Sequence, residues 1–126
     1  MIINLTSHDV DIYNISDCIL NYGRFYLREE EDTGERPEPL RLYTAPKEPA
    51  RATYSYKAAG VADGIVIFRW TAEEITGLPE PKTDTFYIVP KMLAQALPER
   101  EDLIFPWSVV LDAEDNVVGC IDFSRV

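Results

Sequence analysis

Residues 51–70, RATYSYKAAGVADGIVIFRW, carry the strongest strand signal in the chain. Residues 51–57 alternate along the chain, so that two tyrosines share one face. Residues 65–70 are a run of β-branched and aromatic side chains, and residues 58–64 contain two glycines and an aspartate that favour a turn. The pattern predicts a long antiparallel hairpin. The nearly continuous apolar character of the second half predicts that it is a central strand.

Shorter strand signals and two helical signals surround this hairpin. The strand signals lie at residues 9–13, 18–20, 25–27, 40–43 and 85–89, and in a closing hairpin of residues 107–111 and 117–123. A Thr-x-x-Glu pattern predicts one helical turn over residues 71–74. Pro90 suits the start of a helix whose apolar positions within residues 93–97 share one face.

These signals together predict an α+β fold that is mainly antiparallel β. We expect a strand-rich single domain over residues 1–126, with one or two short helices packed on the sheet. Residues 28–39, REEEDTGERPEP, have no apolar side chain that could reach a core. They predict a solvated acidic loop.

The charge of the chain bears on its partners. Lys and Arg number 12 and Asp and Glu 22, for a formal net charge of −10. A field of that sign repels nucleic-acid backbones, so we expect no nucleic-acid partner. A few neighbouring arginines can still bind a small anion, because local charges outweigh distant ones.

The cysteines and the amino terminus bear on localisation. Cys18 and Cys120 are the only cysteines, and residues 1–4 lack the basic and apolar segments of a signal peptide. No apolar run approaches the roughly 20 residues that cross a bilayer. We therefore expect a cytoplasmic protein without membrane contact, with two buried reduced thiols.

No motif for catalysis or for metal or cofactor binding stands out. His8 is the only histidine, and its neighbours Ser7 and Asp9 do not form a triad with it, because adjacent residues of an extended chain point apart. One histidine and two distant cysteines lack zinc-site spacing, and residues 112–116 lack features of a calcium loop. We therefore predict no metal, no cofactor and no catalytic residue, although the burial of the carboxylates is not visible in the sequence.

Several blocks of the chain resemble a family of small phage and prophage proteins without settled catalytic activity. The opening, Asn4-Leu5-Thr6-Ser7-His8, is similar to Asn-Leu-Thr-Pro-His, with Ser7 in the place of proline. Further similar blocks are GLPEP at residues 77–81, AQALPEREDL at residues 94–103 and DNVVGC at residues 115–120. The resemblance implies a viral gene product in the cytoplasm of an infected bacterial cell. Some small phage proteins inhibit bacterial defence by holding nucleotide-derived immune signals, often at subunit interfaces.

The leading functional hypothesis is therefore sequestration of a small nucleotide-like host signal without catalysis. Arginine suits phosphate, aromatic faces suit a base and polar side chains suit ribose. We also expect a homo-oligomer, because many short strands leave free sheet edges. The candidate ligand-binding residues are Asn4, Thr6, His8, Arg51, Thr85, Tyr87, Gln95 and Arg100.

Two alternatives remain open at this point. The acidic loop favours an inhibitor or accessory protein that covers a basic surface of a host factor. A hydrolase that uses a carboxylate as its base is the third hypothesis.

Overall fold

The computed structural model describes residues 1–126 and contains twelve strands, one α-helix and one short 3-10 helix at Ile15–Asp17. The strands are β1 (Ile2–Asn4), β2 (Val10–Ile12), β3 (Cys18–Asn21), β4 (Arg24–Leu27), β5 (Arg41–Tyr43), β6 (Arg51–Ala62), β7 (Ile65–Thr76), β8 (Phe86–Ile88), β9 (Leu103–Pro106), β10 (Val109–Leu111), β11 (Val117–Cys120) and β12 (Phe123–Ser124). The helix α1 spans Lys91–Ala96.

The strands form two mixed sheets and one two-stranded ribbon. Sheet I has the order β1-β8-β9-β12, sheet II the order β3-β4-β10-β11-β2-β5, and β6 pairs only with β7. Four of the nine pairings are parallel: β1 with β8, β8 with β9, β4 with β10 and β2 with β11. The fold is therefore mostly β, and the expected antiparallel character is only partly matched. Parallel neighbours lie far apart along the chain, so local patterns do not reveal them.

Sheet I is buried on both faces. On one face Tyr87, Leu103 and Phe105 pack with α1 residues Leu93 and Ala94. On the other face, alternate residues of β8 and β9 pack against sheet II; this cluster contains Ile88, Ile104, Val10 and Cys120. A third cluster lies within sheet II and contains Tyr13, Cys18, Leu27 and Val110. The layers therefore run from α1 through sheet I to sheet II.

The long hairpin is confirmed, but its position in the fold is not the predicted one. β6 continues to Ala62, so the turn consists of Asp63 and Gly64 alone, with φ of 51° and 77°. Such positive values at both turn residues match the twist of a tight hairpin. The prediction of a central strand at residues 65–70 is wrong, because the ribbon has no third strand. An apolar run resembles a buried strand even when the rest of the chain leaves it uncovered.

One of the two predicted helices exists. α1 starts directly after Pro90 and packs on sheet I, as expected. The predicted helical turn at residues 71–74 is wrong, since Thr71 pairs with Ser55 and Ala72 with Tyr54 inside the ribbon. Ladder pairing over twelve residues overrides a local capping pattern. No helix is long and apolar enough to cross a membrane.

Three further predictions are confirmed. Residues 28–39 form no strand and are mostly exposed. The closing hairpin is present as β10 and β11, which pair antiparallel. Cys18 and Cys120 are buried free thiols.

Candidate functional site

Three of the sequence-predicted ligand residues lie together at the end of β1 and in the loop that follows it. The buried Asn4 donates from Nδ2 to the carbonyl oxygens of His8 and Tyr43, each at 2.9 Å. Its Oδ1 accepts from the backbone nitrogen of Thr6 at 2.9 Å and lies 2.6 Å from Thr6 Oγ1. These bonds hold the loop in shape and use the polar groups of Asn4 and Thr6. The His8 ring is exposed, and its Nδ1 lies 3.5 Å from Ser7 Oγ.

The guanidinium of Arg100 is already hydrogen-bonded to neighbouring residues. Its Nε and one terminal nitrogen donate to the two carboxylate oxygens of Asp102, both at 2.8 Å, and it also donates to the carbonyl of Pro79 at 3.0 Å. The hydrogen bonds to Arg100 lower the pKa of Asp102, and the same bonds raise the pKa of Arg100. A bidentate pair of this kind is strong. A phosphate at Arg100 would have to compete with the Asp102 carboxylate.

The other predicted residues are scattered. Tyr87 is only 1% exposed, and its hydroxyl has no hydrogen-bond partner. Half-buried Thr85 donates from Oγ1 to the carbonyl of Thr83 at 3.2 Å. Gln95 is exposed on α1, and Arg51 is exposed at the start of β6. The eight residues therefore do not form one pocket.

Arg51 is the residue of this set that opens onto a ligand-sized groove. We call it the α1 groove; it has a volume of about 560 Å³ and lies between the base of the ribbon and α1. That volume is within the range of small-molecule sites. The guanidinium of Arg51 makes no ion pair or side-chain hydrogen bond, so its donors are available. The lining residues are Ser7, Pro49, Ala50, Arg51, Ala52, Tyr54, Pro90, Lys91, Met92 and Leu93.

A second cation, Lys91, also lines the α1 groove. Its Nζ lies 5.1 Å from the ring centroid of Trp107 and 6.0 Å from that of Phe105. The cation–π contact holds the ammonium near Trp107, a ring outside the lining of the groove, and no ion pair occupies its N–H donors. The groove thus combines two cations with the aromatic ring of Tyr54 and the hydroxyl of Ser7.

The α1 groove differs in charge from four other hollows of the surface. Four other surface hollows are each lined by at least one carboxylate, whereas the α1 groove has none. In a chain with 22 acidic side chains, an anion in the α1 groove meets no carboxylate in the lining. The predicted residue Arg51 belongs to it, and sequence reasoning missed Lys91, Tyr54 and Ser7. Tyr54 was visible only as an alternating aromatic, and the nearness of Lys91 depends on packing.

Hydrogen bonds and partial burial within the fold account for the shifted pKa values of Asp112 and Asp11. Asp112 accepts from the backbone nitrogens of Asn116 at 2.9 Å and Glu114 at 2.8 Å, and the bond from Asn116 is the main cause of its lowered pKa. Partial burial, followed by repulsion from Asp9, raises the pKa of Asp11 on β2. No group of three or more His, Cys, Asp or Glu side chains is arranged to hold a metal ion. The absence of catalytic activity stays a prediction.

Comparisons with protein-family models, with curated proteins and with solved structures gave no match. The resemblance to small phage proteins, and the function that it implies, therefore stay predictions.

Proposed function

We propose that the chain binds a small, nucleotide-derived host signal in the α1 groove and holds it without chemical change, in the cytoplasm of an infected bacterial cell. The observation that carries the proposal is the lining of the groove, which has two cations and no carboxylate. Guanidinium and ammonium groups are the side chains that recognise phosphate.

The chemistry of the groove fits the parts of a nucleotide. Arg51 is free to donate two parallel hydrogen bonds to a phosphate. Tyr54 provides an aromatic face, although its ring already meets Trp70 edge-on, with centroids 5.5 Å apart. Ser7 provides a hydroxyl that can donate to or accept from ribose. Burial raises the pKa of Tyr54, so its hydroxyl stays protonated and adds no negative charge.

Calorimetry and thermal-shift measurements with cyclic nucleotides and ADP-ribose derivatives test the proposal. We expect at least one compound to bind the wild-type chain and to be recovered intact after denaturation. Arg51→Ala should weaken binding about 10- to 100-fold, because a charge-assisted hydrogen bond contributes roughly 1.5–3 kcal/mol.

Arg41→Ala is the matched control, since Arg41 is an exposed arginine that does not line the groove. It should leave the affinity unchanged. Absence of binding by the whole panel would contradict the proposal. Recovery of a cleaved product would favour the hydrolase hypothesis instead.

A second candidate function rests on the acidic loop. Residues 28–39 carry six carboxylates against two arginines, and most of the loop is exposed. Backbone bonds from Gly34 to Glu30 at 2.8 Å and from Glu30 to Glu35 at 3.0 Å give the loop a defined shape. A shaped acidic surface suits an inhibitor that covers a basic patch of a host factor. Neutralising the loop carboxylates would abolish that activity and leave nucleotide binding in the α1 groove intact.

A further inference from the structure

The outer part of the β6–β7 ribbon lies in solvent although its sequence is that of a core strand. We call residues 56–70 the arm. Residues 56–69 are all exposed, and only Trp70 at the base is half-buried. With about 3.3 Å per residue, the six residue steps between Tyr56 and Ala62 extend the arm by about 20 Å. A two-stranded ribbon is marginally stable alone, so an arm of this length is expected to gain stability from a further layer.

The register of the ribbon sorts the side chains of the arm onto two faces. Tyr56 pairs with Trp70, Ala58 with Phe68 and Val61 with Val66, which puts them on one apolar face. Lys57 pairs with Arg69 on the opposite face, and Ile67 follows on that second face. At the base, Ala52 and Ile75 pack against the buried cluster of sheet I and α1. Ala52 and Tyr54 lie four and two residues before Tyr56, so the apolar face continues a face that the protein covers at its base.

The uncovered area suits an interface. The exposed fractions are 63% for Tyr56, 69% for Val61, 48% for Val66 and 62% for Phe68. At roughly 150–200 Å² per large side chain these four present about 400–450 Å², the size of the largest patch on a typical monomer. Two such faces together approach the roughly 1,000 Å² that a specific interface needs, before the rest of the arm is counted.

The charges indicate what covers the arm. Residues 56–70 contain two basic side chains and one acidic one, for a net charge of +1. The whole chain has 12 basic and 22 acidic residues, so the remainder has 10 basic and 21 acidic, for a net charge of −11. Lys57 and Arg69 lie side by side, and neither forms an ion pair. Like charges directly opposite each other are destabilising, and this pair lies on the face away from the apolar one.

We propose that the arm docks on a second copy of this chain, with the apolar faces of two arms packed against each other around a two-fold axis. An interface of this symmetry is self-complementary, as an apolar face meeting its own copy requires. Because the arms run past each other, the weakly cationic arm of one copy approaches the acidic remainder of the other. The copy therefore provides the apolar layer, while Lys57 and Arg69 stay on the opposite face of the arm, away from the two-fold contact. This inference is independent of the ligand proposed for the α1 groove.

Size-exclusion chromatography with light scattering of the full chain, between about 1 and 100 μM, tests the proposal. We expect a wild-type dimer. Phe68→Glu inserts a charge into the apolar face twice per dimer, and should raise the dissociation constant about 100-fold or more. Ile67→Glu is the matched control, because Ile67 is the preceding residue, is also exposed and lies on the opposite face. That variant should remain dimeric.

Circular dichroism and thermal melting show whether each variant folds. Both positions are in solvent, so each monomer is expected to keep its fold. A monomeric wild-type chain at 100 μM would overturn the proposal and leave a different protein as the occupant of the arm. A Phe68→Glu variant that dimerises like the wild type would also overturn it, as would equal loss of the dimer in both variants.

Discussion

Two apolar segments of nearly the same composition differ in burial: one lies in the core and the other in solvent. Leu103-Ile104-Phe105 in β9 is between 1% and 8% exposed, whereas Ile65, Val66, Ile67 and Phe68 in β7 are between 48% and 68% exposed. Both are strands, and each is rich in aliphatic and aromatic side chains. β9 lies between two neighbours in sheet I and has cores on both faces, while β7 has β6 as its only partner. Apolar character therefore predicted strands in both places, and only the neighbours decided burial.

The largest expected loss of stability comes from truncating a side chain in β9, the buried one of these two segments. Leu103→Ala should lower the free energy of unfolding by about 3 kcal/mol, because it leaves a cavity beside Tyr87 and Leu93. Ile67→Ala in the arm should change it by less than about 0.5 kcal/mol in the monomer. Urea unfolding at concentrations where the chain is monomeric measures both. Equal losses at the two positions would contradict the contrast between the segments.

A close approach of two strands in sheet II gives the next effect. A Cβ atom at Gly119 would clash with the carbonyl oxygen of Asp11 and would lie 2.8 Å from the ring of Tyr13. Gly119→Ala should therefore lower the free energy of unfolding by about 2 kcal/mol through overpacking. Val117→Ala is the control, since Val117 is exposed on the same strand. A Gly119→Ala chain as stable as the control would show that β2 and β11 can separate without cost.

The buried thiol of Cys120 makes stability depend on pH at the alkaline end. Burial, with smaller contributions from Asp122 and Asp11, raises the pKa of Cys120 to about 11, above its ordinary value near 9. The thiol ionises at a lower pH in the unfolded chain than in the folded chain. The stability that the neutral buried thiol contributes is therefore fully present below pH 9 and is lost as the pH rises toward 11. At pH 10 the loss is on the order of 1 kcal/mol.

Urea unfolding at pH 8, 9 and 10 measures this loss. Cys120→Ala should show a smaller loss between pH 8 and 10 than the wild type does. All other ionisable groups are the same in both proteins, so the difference isolates the thiol. The same slope in both would mean that Cys120 ionises in the folded chain as easily as in the unfolded one.

The smallest global effect is expected at the tip of the arm. Gly64 has φ of 77°, and nothing lies within 4 Å of the place where a Cβ atom would be. Gly64→Ala should strain the turn by about 1 kcal/mol and speed hydrogen exchange of the amides around it. The urea midpoint of the whole chain should stay unchanged, because the arm adds little to the buried cores. A clear shift of that midpoint would show that the arm and the sheets unfold as one unit.

Part of the candidate site was visible in the sequence. Arg51 stood out as a cation beside strand residues, and it lines the groove between β6 and α1. Asn4 and Thr6 were also recognised as notable, but their polar groups bond to each other and to the loop. Lys91 gave no signal, because its place in the lining of the groove depends on how α1 packs against the ribbon. The sequence gives the chemical type of each residue, but it does not give which residues are close in space.

The sequence by itself determined the strand-rich fold, the long hairpin, the helix after Pro90, the exposed acidic loop and the burial of both thiols. Those features follow from local periodicity, turn chemistry and side-chain polarity, which act over a few neighbouring residues. Only the tertiary structure decided that the sheets are mixed, that residues 65–68 lie in solvent and that Arg51, Tyr54 and Lys91 share a groove. Pairing and burial depend on residues far apart along the chain, and a local pattern of apolar side chains is the same whether or not another layer covers it.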